Sequence, residues 1–182
     1  MGNDSGILPE VTLREAHADD AQALAALYAH YVRTSIATFE ETPPDAAEIG
    51  RRIEAVQSLR LPWRIATNLQ GALLGYAYAS PYRTRSAYRY TLESSVYIAP
   101  QSMGIGLGAA LMREVLTECT RLGFRQMLAV IGDSANAASI ALHSTLGFEM
   151  VGTHRAVGFK HGRWIDVVHM QRALGDGAAT PP

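Results

Sequence analysis

Cysteine is nearly absent: Cys119 is the only one in 182 residues. A lone thiol excludes an intramolecular disulfide framework and a cysteine-rich zinc site. An excess of charge of one sign is also missing. The 16 Lys and Arg stand against 17 Asp and Glu, a formal net charge of −1. A protein built to hold nucleic-acid phosphates is normally basic, so that class finds no support. No apolar run approaches the ~20 residues that span a bilayer. The stretch Met1-Gly2-Asn3-Asp4-Ser5-Gly6 has no basic region ahead of an apolar one. It does not read as a signal peptide, and a cytoplasmic protein is the default expectation. Gly2 invites N-myristoylation, but Gly6 stands where Ser or Thr is required. What is present is 48% hydrophobic and 18% charged residues, the balance of a globular chain. The length fits one domain.

Periodicity places the elements. Val11–Arg14 alternates as a strand does. Asp19 or Asp20 caps a helix whose stripe is Leu24, Leu27, Tyr28 and Tyr31. Residues 34–39 break that stripe as a loop. Asp45 and Glu48 have the spacing of a capping box for a second helix, buried through Ile49, Ile53 and Val56. Trp63–Thr67 and Ala72–Ala79 form a hairpin around Asn68-Leu69-Gln70-Gly71. Residues 80–89 are a polar loop with three arginines, and Tyr90–Ile98 is the next strand. A helix follows the glycines 104, 106 and 108, with Leu107, Leu111, Val115 and Leu122 inward and Cys119 toward its polar side. Met127–Ile131 is a short strand. Asn136 caps a last helix, with Ile140 and Leu146 buried and Gly147 as its stop. Met150–Phe159 and Trp164–Gln171 are strands joined by Lys160-His161-Gly162-Arg163. The expected organisation is a flexible segment 1–9, one mixed α/β domain over 10–173, and a disordered Gly/Ala/Pro tail over 174–182.

Gly104-Ile105-Gly106-Leu107-Gly108-Ala109 sits between a strand and a helix. Glycines there let backbone N–H groups approach an anion, and the helix start adds partial positive charge. A nucleotide P-loop requires Gly-Lys-Ser/Thr, whereas this chain has Gly108-Ala109-Ala110. A dinucleotide fold is matched formally by Gly104, Gly106 and Ala109, with Asp133 as the acid. But Ala99–Met103 separate those glycines from their strand, and half the chain precedes them. A glycine loop that merely packs a helix on a sheet is the plain alternative.

The same segment, Met103-Gly104-Ile105-Gly106-Leu107-Gly108, resembles the acetyl-CoA loop of the GCN5-related N-acetyltransferase superfamily, R/Q-x-x-G-x-G/A. Met103 departs from the usual Arg or Gln. Further stretches resemble the phosphinothricin and methionine sulfoximine N-acetyltransferase family. They are Tyr90-Thr91-Leu92-Glu93-Ser94-Ser95-Val96-Tyr97-Ile98, Asn136 through His143 to Phe148, and Gly158-Phe159-Lys160-His161-Gly162-Arg163-Trp164. Tyr31–Ser35 with Phe39, and Arg85-Ser86-Ala87-Tyr88, belong to the same resemblance.

The resemblance implies a mostly antiparallel mixed sheet flanked by helices. It implies acetyl-CoA as co-substrate and a small amino-acid-like acceptor. Glu93 would be the general base; its plain alternative is a solvated strand glutamate. The acyl chemistry requires no metal. His143 would be a general acid or relay toward the departing thiolate, or else a packed helix histidine. Asn136 would touch the pantetheine arm, or only cap its helix. Backbone groups of Val96, Tyr97 and Ile98 would pair with pantetheine amides, and residues 103–108 (Met103, Gly104, Ile105, Gly106, Leu107, Gly108) would hold the pyrophosphate. Arg83, Arg85 and Tyr88 are the natural partners of the acceptor's anionic groups. Phe39 would wall the acceptor pocket. The hairpin at Lys160–Trp164 would help build the site across a homodimer. Acetylation of another small amine or of a protein N-terminus is the enzyme alternative; a non-catalytic acyl-CoA sensor would keep the glycines and have no need of Glu93.

Overall fold

Two helices follow the first strand, and one of them carries a side-chain cap. The computed structural model describes residues 11–182. The expected flexible segment 1–9 lies outside the described residues. β1 (Val11–Glu15) precedes α1 (Ala21–Thr34) and α2 (Ala46–Ser58). The Asp45 side chain accepts from Glu48 N–H at 2.7 Å and starts α2, whose buried face is Ile49, Ile53 and Val56. Asp20 does not cap α1 with its side chain. Its carboxylate takes two bonds from Arg14, at 2.7 and 2.8 Å, and one from the His17 N–H. The ion pair with Arg14 outcompetes the cap and holds the carboxyl below its ordinary range.

The sheet has seven strands: β2 (Trp63–Asn68), β3 (Leu73–Pro81), β4 (Thr91–Ile98), β5 (Gln126–Gly132), β6 (Glu149–Lys160) and β7 (Arg163–Ala173) join β1 in the order β1-β2-β3-β4-β5-β7-β6. Every pairing is antiparallel except β4 with β5. α3 (Leu107–Arg121) is the crossover between those two parallel strands, and α4 (Ala137–Thr145) follows β5. α1 packs on the face that carries Tyr97, through Tyr28 and Tyr31. α3 packs on the face that carries Ile98.

The core joins Leu24 and Val32 of α1, Ile65 of β2, Leu92 of β4, Leu111 and Met112 of α3, and Met127 of β5. Cys119 corrects the expectation of a polar-side thiol. It is fully buried in this core, and burial pushes the thiol up to about 12. Leu122 and Ile140 are only half-buried. The tail also differs from expectation. Leu174 is buried, Gly177 N–H donates to Leu174 O, and Arg125 donates to the Pro181 carbonyl. One leucine and turn bonds carry this docking, a pattern with no periodicity to read. Among the described residues no helix is long and apolar enough to cross a membrane.

Candidate active site

The sheet comes apart in its middle. β4 and β5 pair only from Thr91↔Gln126 to Ser94↔Ala129, and both strands continue beyond that point. Flanking bonds decide which groups face the gap. Ala99 N–H donates to Leu74 O at 2.8 Å and Tyr82 N–H to Thr91 O at 3.2 Å. Bonded pairs alternate along an antiparallel ladder. Glu93, Ser95 and Tyr97 therefore turn their main-chain groups to β3, while Val96 and Ile98 turn theirs to the gap. On the other wall, Leu174 N–H donates to Arg125 O at 3.0 Å and Asp133 N–H to Asp166 O at 2.9 Å. The same alternation aims Val130 and Gly132 into the gap. The result is a cleft of about 650 Å³ between two unpaired strand edges. Such edges bind an extended amide-bearing chain as β-augmentation does.

Two expectations are refined here. The main-chain groups of Tyr97 belong to β3 and are not available to a ligand. The Ile98 carbonyl already accepts from Tyr31 Oη at 2.5 Å. Val96 is left as the residue of this trio with both main-chain groups uncommitted to β3 or to Tyr31.

The glycine loop closes one end of the cleft. Gly104 and Gly106 have φ of +78° and +83°, and no atom lies within 4 Å of where a Cβ would stand. Backbone conformation, not crowding, selects glycine at these two positions. Gly108 differs: a Cβ there would meet Leu142 Cδ2 of α4 at 3.2 Å. Gly106 is the N-cap of α3 and supplies no side-chain cap, so the first-turn N–H groups stay available to an anion. Met103 lies at the cleft and is 53% exposed. It takes one polar side chain from this site and leaves the amides. Leu107 is buried beneath the loop, whereas Ile105 is exposed and does not line the cleft.

Glu93 sits one residue before the strands part, between Ser80 of β3 and Leu128 of β5. It is half-buried, and burial raises its carboxyl above the ordinary range. Arg83 opposes this through charge, not through a hydrogen bond. On the same face lies an aromatic floor, with Tyr97 against Tyr28, Tyr31 and Tyr76. Glu93 does not itself line the cleft; the residues that follow it on β4, Ser94 and Ser95, do.

His143 is 3% exposed, the one fully buried residue of α4. Its Nδ1 lies 2.8 Å from the Ser139 carbonyl. A carbonyl only accepts, so Nδ1 carries the proton and Nε2 a lone pair. Nε2 is closed off from solvent and has no partner among the described residues. Burial lowers the ring's basicity. The ring packs edge-on against Phe148, with centroids 5.0 Å apart. This geometry opposes the general-acid reading, because the neutral ring has no proton on Nε2 to give. Asn136 caps its helix and also borders the cleft. Its Oδ1 caps α4 by accepting from Ser139 N–H at 3.2 Å, and its amide group borders the cleft, 3.5 Å from the Gly132 carbonyl.

Arg83, Arg85, Tyr88 and Phe39 do not line the cleft. Arg83 lies over the Tyr82 ring, 4.8 Å from its centroid, and Tyr88 packs edge-on to the same ring. Arg85 precedes the short turn Ser86–Tyr88 and is exposed. Of these arginines only Arg83 acts on Glu93. The Phe39 ring covers Gly158 of β6. The wall is formed by Ser35-Ile36-Ala37, within the stretch 34–41 where the sequence places acceptor selection. Sequence reasoning missed Gly132, where a Cβ would collide with the Ile36 carbonyl. A glycine closing an apolar strand was the available signal of close backbone approach.

Residues 13–169 match the family described as Acetyltransferase (GNAT) domain. A phosphinothricin N-acetyltransferase of Alcaligenes faecalis is 50% identical over 171 residues, which cover 94% of this chain and 86% of the relative. An L-methionine sulfoximine/L-methionine sulfone acetyltransferase of Salmonella typhimurium is 37% identical over 169 residues, covering 93% and 98%. A solved structure, a GNAT superfamily phosphinothricin acetyltransferase from Sinorhizobium meliloti in complex with AcCoA, superposes with a TM-score of 0.91 at 48% identity, covering 95% and 93%. The split between β4 and β5 and the glycine loop have the donors that the amide-bearing arm and the pyrophosphate of such a ligand require. The chain therefore belongs to the GNAT acetyltransferases, as an acetyl-CoA-dependent N-acetyltransferase of the phosphinothricin acetyltransferase type.

Proposed function

We propose that this enzyme acetylates the α-amine of a small amino acid of the phosphinothricin, methionine sulfoximine or methionine sulfone kind, by direct transfer with Glu93 as general base. The observation that carries the proposal is a half-buried carboxylate of raised basicity beside the point where β4 and β5 separate. Acetyl-CoA supplies the electrophile, a thioester carbonyl carbon. Val96 offers its amide and carbonyl to the pantetheine arm, and Asn136 offers its amide group. The N–H groups at the head of α3 hold the pyrophosphate. Glu93 takes one proton from the substrate ammonium and frees the lone pair that attacks. Main-chain N–H groups on the open strand edges stabilise the oxyanion. The amine loses a second proton when the amide forms, and that proton balances the departing thiolate. His143 is a packing residue in this scheme. Arg83 holds the acceptor's carboxylate, with Arg85 and Tyr88 further out and Phe39 behind the wall.

Thiol release from acetyl-CoA, measured with each of the three amino acids and with product mass, tests this. Turnover with at least one, giving an N-acetyl amino acid, supports the proposal. Tight acetyl-CoA binding with no turnover on any of them contradicts it and moves the protein to another amine or to a sensor.

The exposed pair Phe159 and Trp164, 57% and 65% accessible, supports a homodimer through the β6–β7 hairpin. Sedimentation is expected to give a species of twice the 19.7 kDa chain mass; a species of one chain mass contradicts it.

A further inference from the structure

The wall segment 35–38 is clasped from both sides. Lys160 ends β6, is 3% exposed, and donates from Nζ to the carbonyls of Ser35 at 2.9 Å and Thr38 at 2.7 Å. The next residue, Phe39, packs where Gly158 has no side chain, and the Ile36 carbonyl packs where Gly132 has none. From α1, Tyr28 Oη bonds Thr38 Oγ1 at 2.7 Å and Glu40 at 2.9 Å. From α2, Arg52 grips Glu40 with bonds of 2.7 and 3.2 Å. Burying an ammonium against two neutral carbonyls costs more than burying an apolar side chain of like volume. Hydrophobic packing does not explain a lysine here. Its three donors fix two carbonyls at once, which no apolar residue does. Burial lowers the basicity of the Lys160 ammonium, and the charges of Glu41 and Glu40 oppose that.

We propose that Lys160 is a positioning residue for acetyl transfer: its ammonium sets the path of residues 35–38, the wall of the cleft in which the amine meets the acetyl group. It touches no reacting atom and acts through that wall. The inference rests on the proposed site of amine binding, so its test has one readout independent of any substrate.

Lys160→Met, Lys160→Arg and Gly158→Ala are compared with wild type by hydrogen–deuterium exchange and by steady-state kinetics. In Lys160→Met, which loses both charge-assisted bonds, amides of residues 35–38 are expected to exchange at least about tenfold faster, with residues 103–108 unchanged. KM for the amine is expected to rise about tenfold with little change in KM for acetyl-CoA. Lys160→Arg is expected to recover part of both effects. Gly158→Ala displaces Phe39 and releases the same segment by a second route, which separates loss of the clasp from loss of fold. Unchanged exchange at 35–38 in folded Lys160→Met overturns the proposal. So does an equal rise in both KM values. If the wild type turns over none of the three amino acids, the substrate reading falls, and the exchange comparison alone decides for or against the clasp.

Discussion

Glu93→Gln is expected to lower kcat/KM for the amine by about 10²- to 10⁴-fold, the range of a general base. The change keeps volume and removes only the proton-accepting charge. Acetyl-CoA affinity, measured by titration without the amine, is expected to stay near wild type. The pH profile follows from the same carboxylate. Burial raises its pKa, so the ionised, active form is lost as pH falls through that raised value, and kcat/KM of the wild type falls with it. Stability has the opposite sign. A carboxyl with a raised folded-state pKa binds its proton more tightly in the native state than in the unfolded one. Its contribution is fully present below the unfolded value and is lost as pH rises through the folded value. At neutral pH Glu93→Gln is therefore expected to unfold at the same or a higher temperature than wild type. A dead variant of unimpaired stability separates catalysis from folding. A Glu93→Gln enzyme with wild-type kcat/KM removes the base from the mechanism.

The largest effect on folding is expected at Leu111. It is fully buried in α3, the helix whose first turn carries the glycine loop. Leu111→Ala leaves a cavity between that helix and the sheet and is expected to cost about 2–5 kcal/mol. In a domain of this size each kcal/mol moves the midpoint by roughly 2–4 °C, so a fall of about 10 °C is expected on thermal unfolding. Met103→Ala on the exposed loop is the control, with a change within about 0.5 kcal/mol. A Leu111→Ala midpoint equal to wild type contradicts the packing assigned to α3.

The elements were legible because each announces itself locally. Asp45 and Glu48 mark the start of α2, and the alternation around Glu93 places Leu92 and Ser94 in the interior and Glu93 on the opposite side. The glycine loop was legible because Gly104 and Gly106 need positive φ. The split of the sheet was not. Whether β4 and β5 stay paired past Ser94 and Ala129 depends on how firmly β3 and β7 hold their outer edges, which no local pattern records. The arginine loop was legible in its chemistry but not in its place. Arg85 and Tyr88 have the right chemistry for an anion, but the cleft runs under another segment. That segment, Ser35-Ile36-Ala37, carries no charged side chain to announce it. It acquires its shape from Lys160, more than a hundred residues away. His143 has the chemistry of an acid, but its Nδ1 proton is committed to Ser139 of its own helix.

The central claim is that amine and acetyl-CoA occupy the cleft together and the acetyl group passes directly between them. Initial rates over a matrix of both concentrations, with the best of the three amino acids, test it most directly. Intersecting double-reciprocal lines are expected, the pattern of a ternary complex. Parallel lines, with acetylated enzyme trapped when the amine is withheld, would place a covalent intermediate on the pathway and contradict the account.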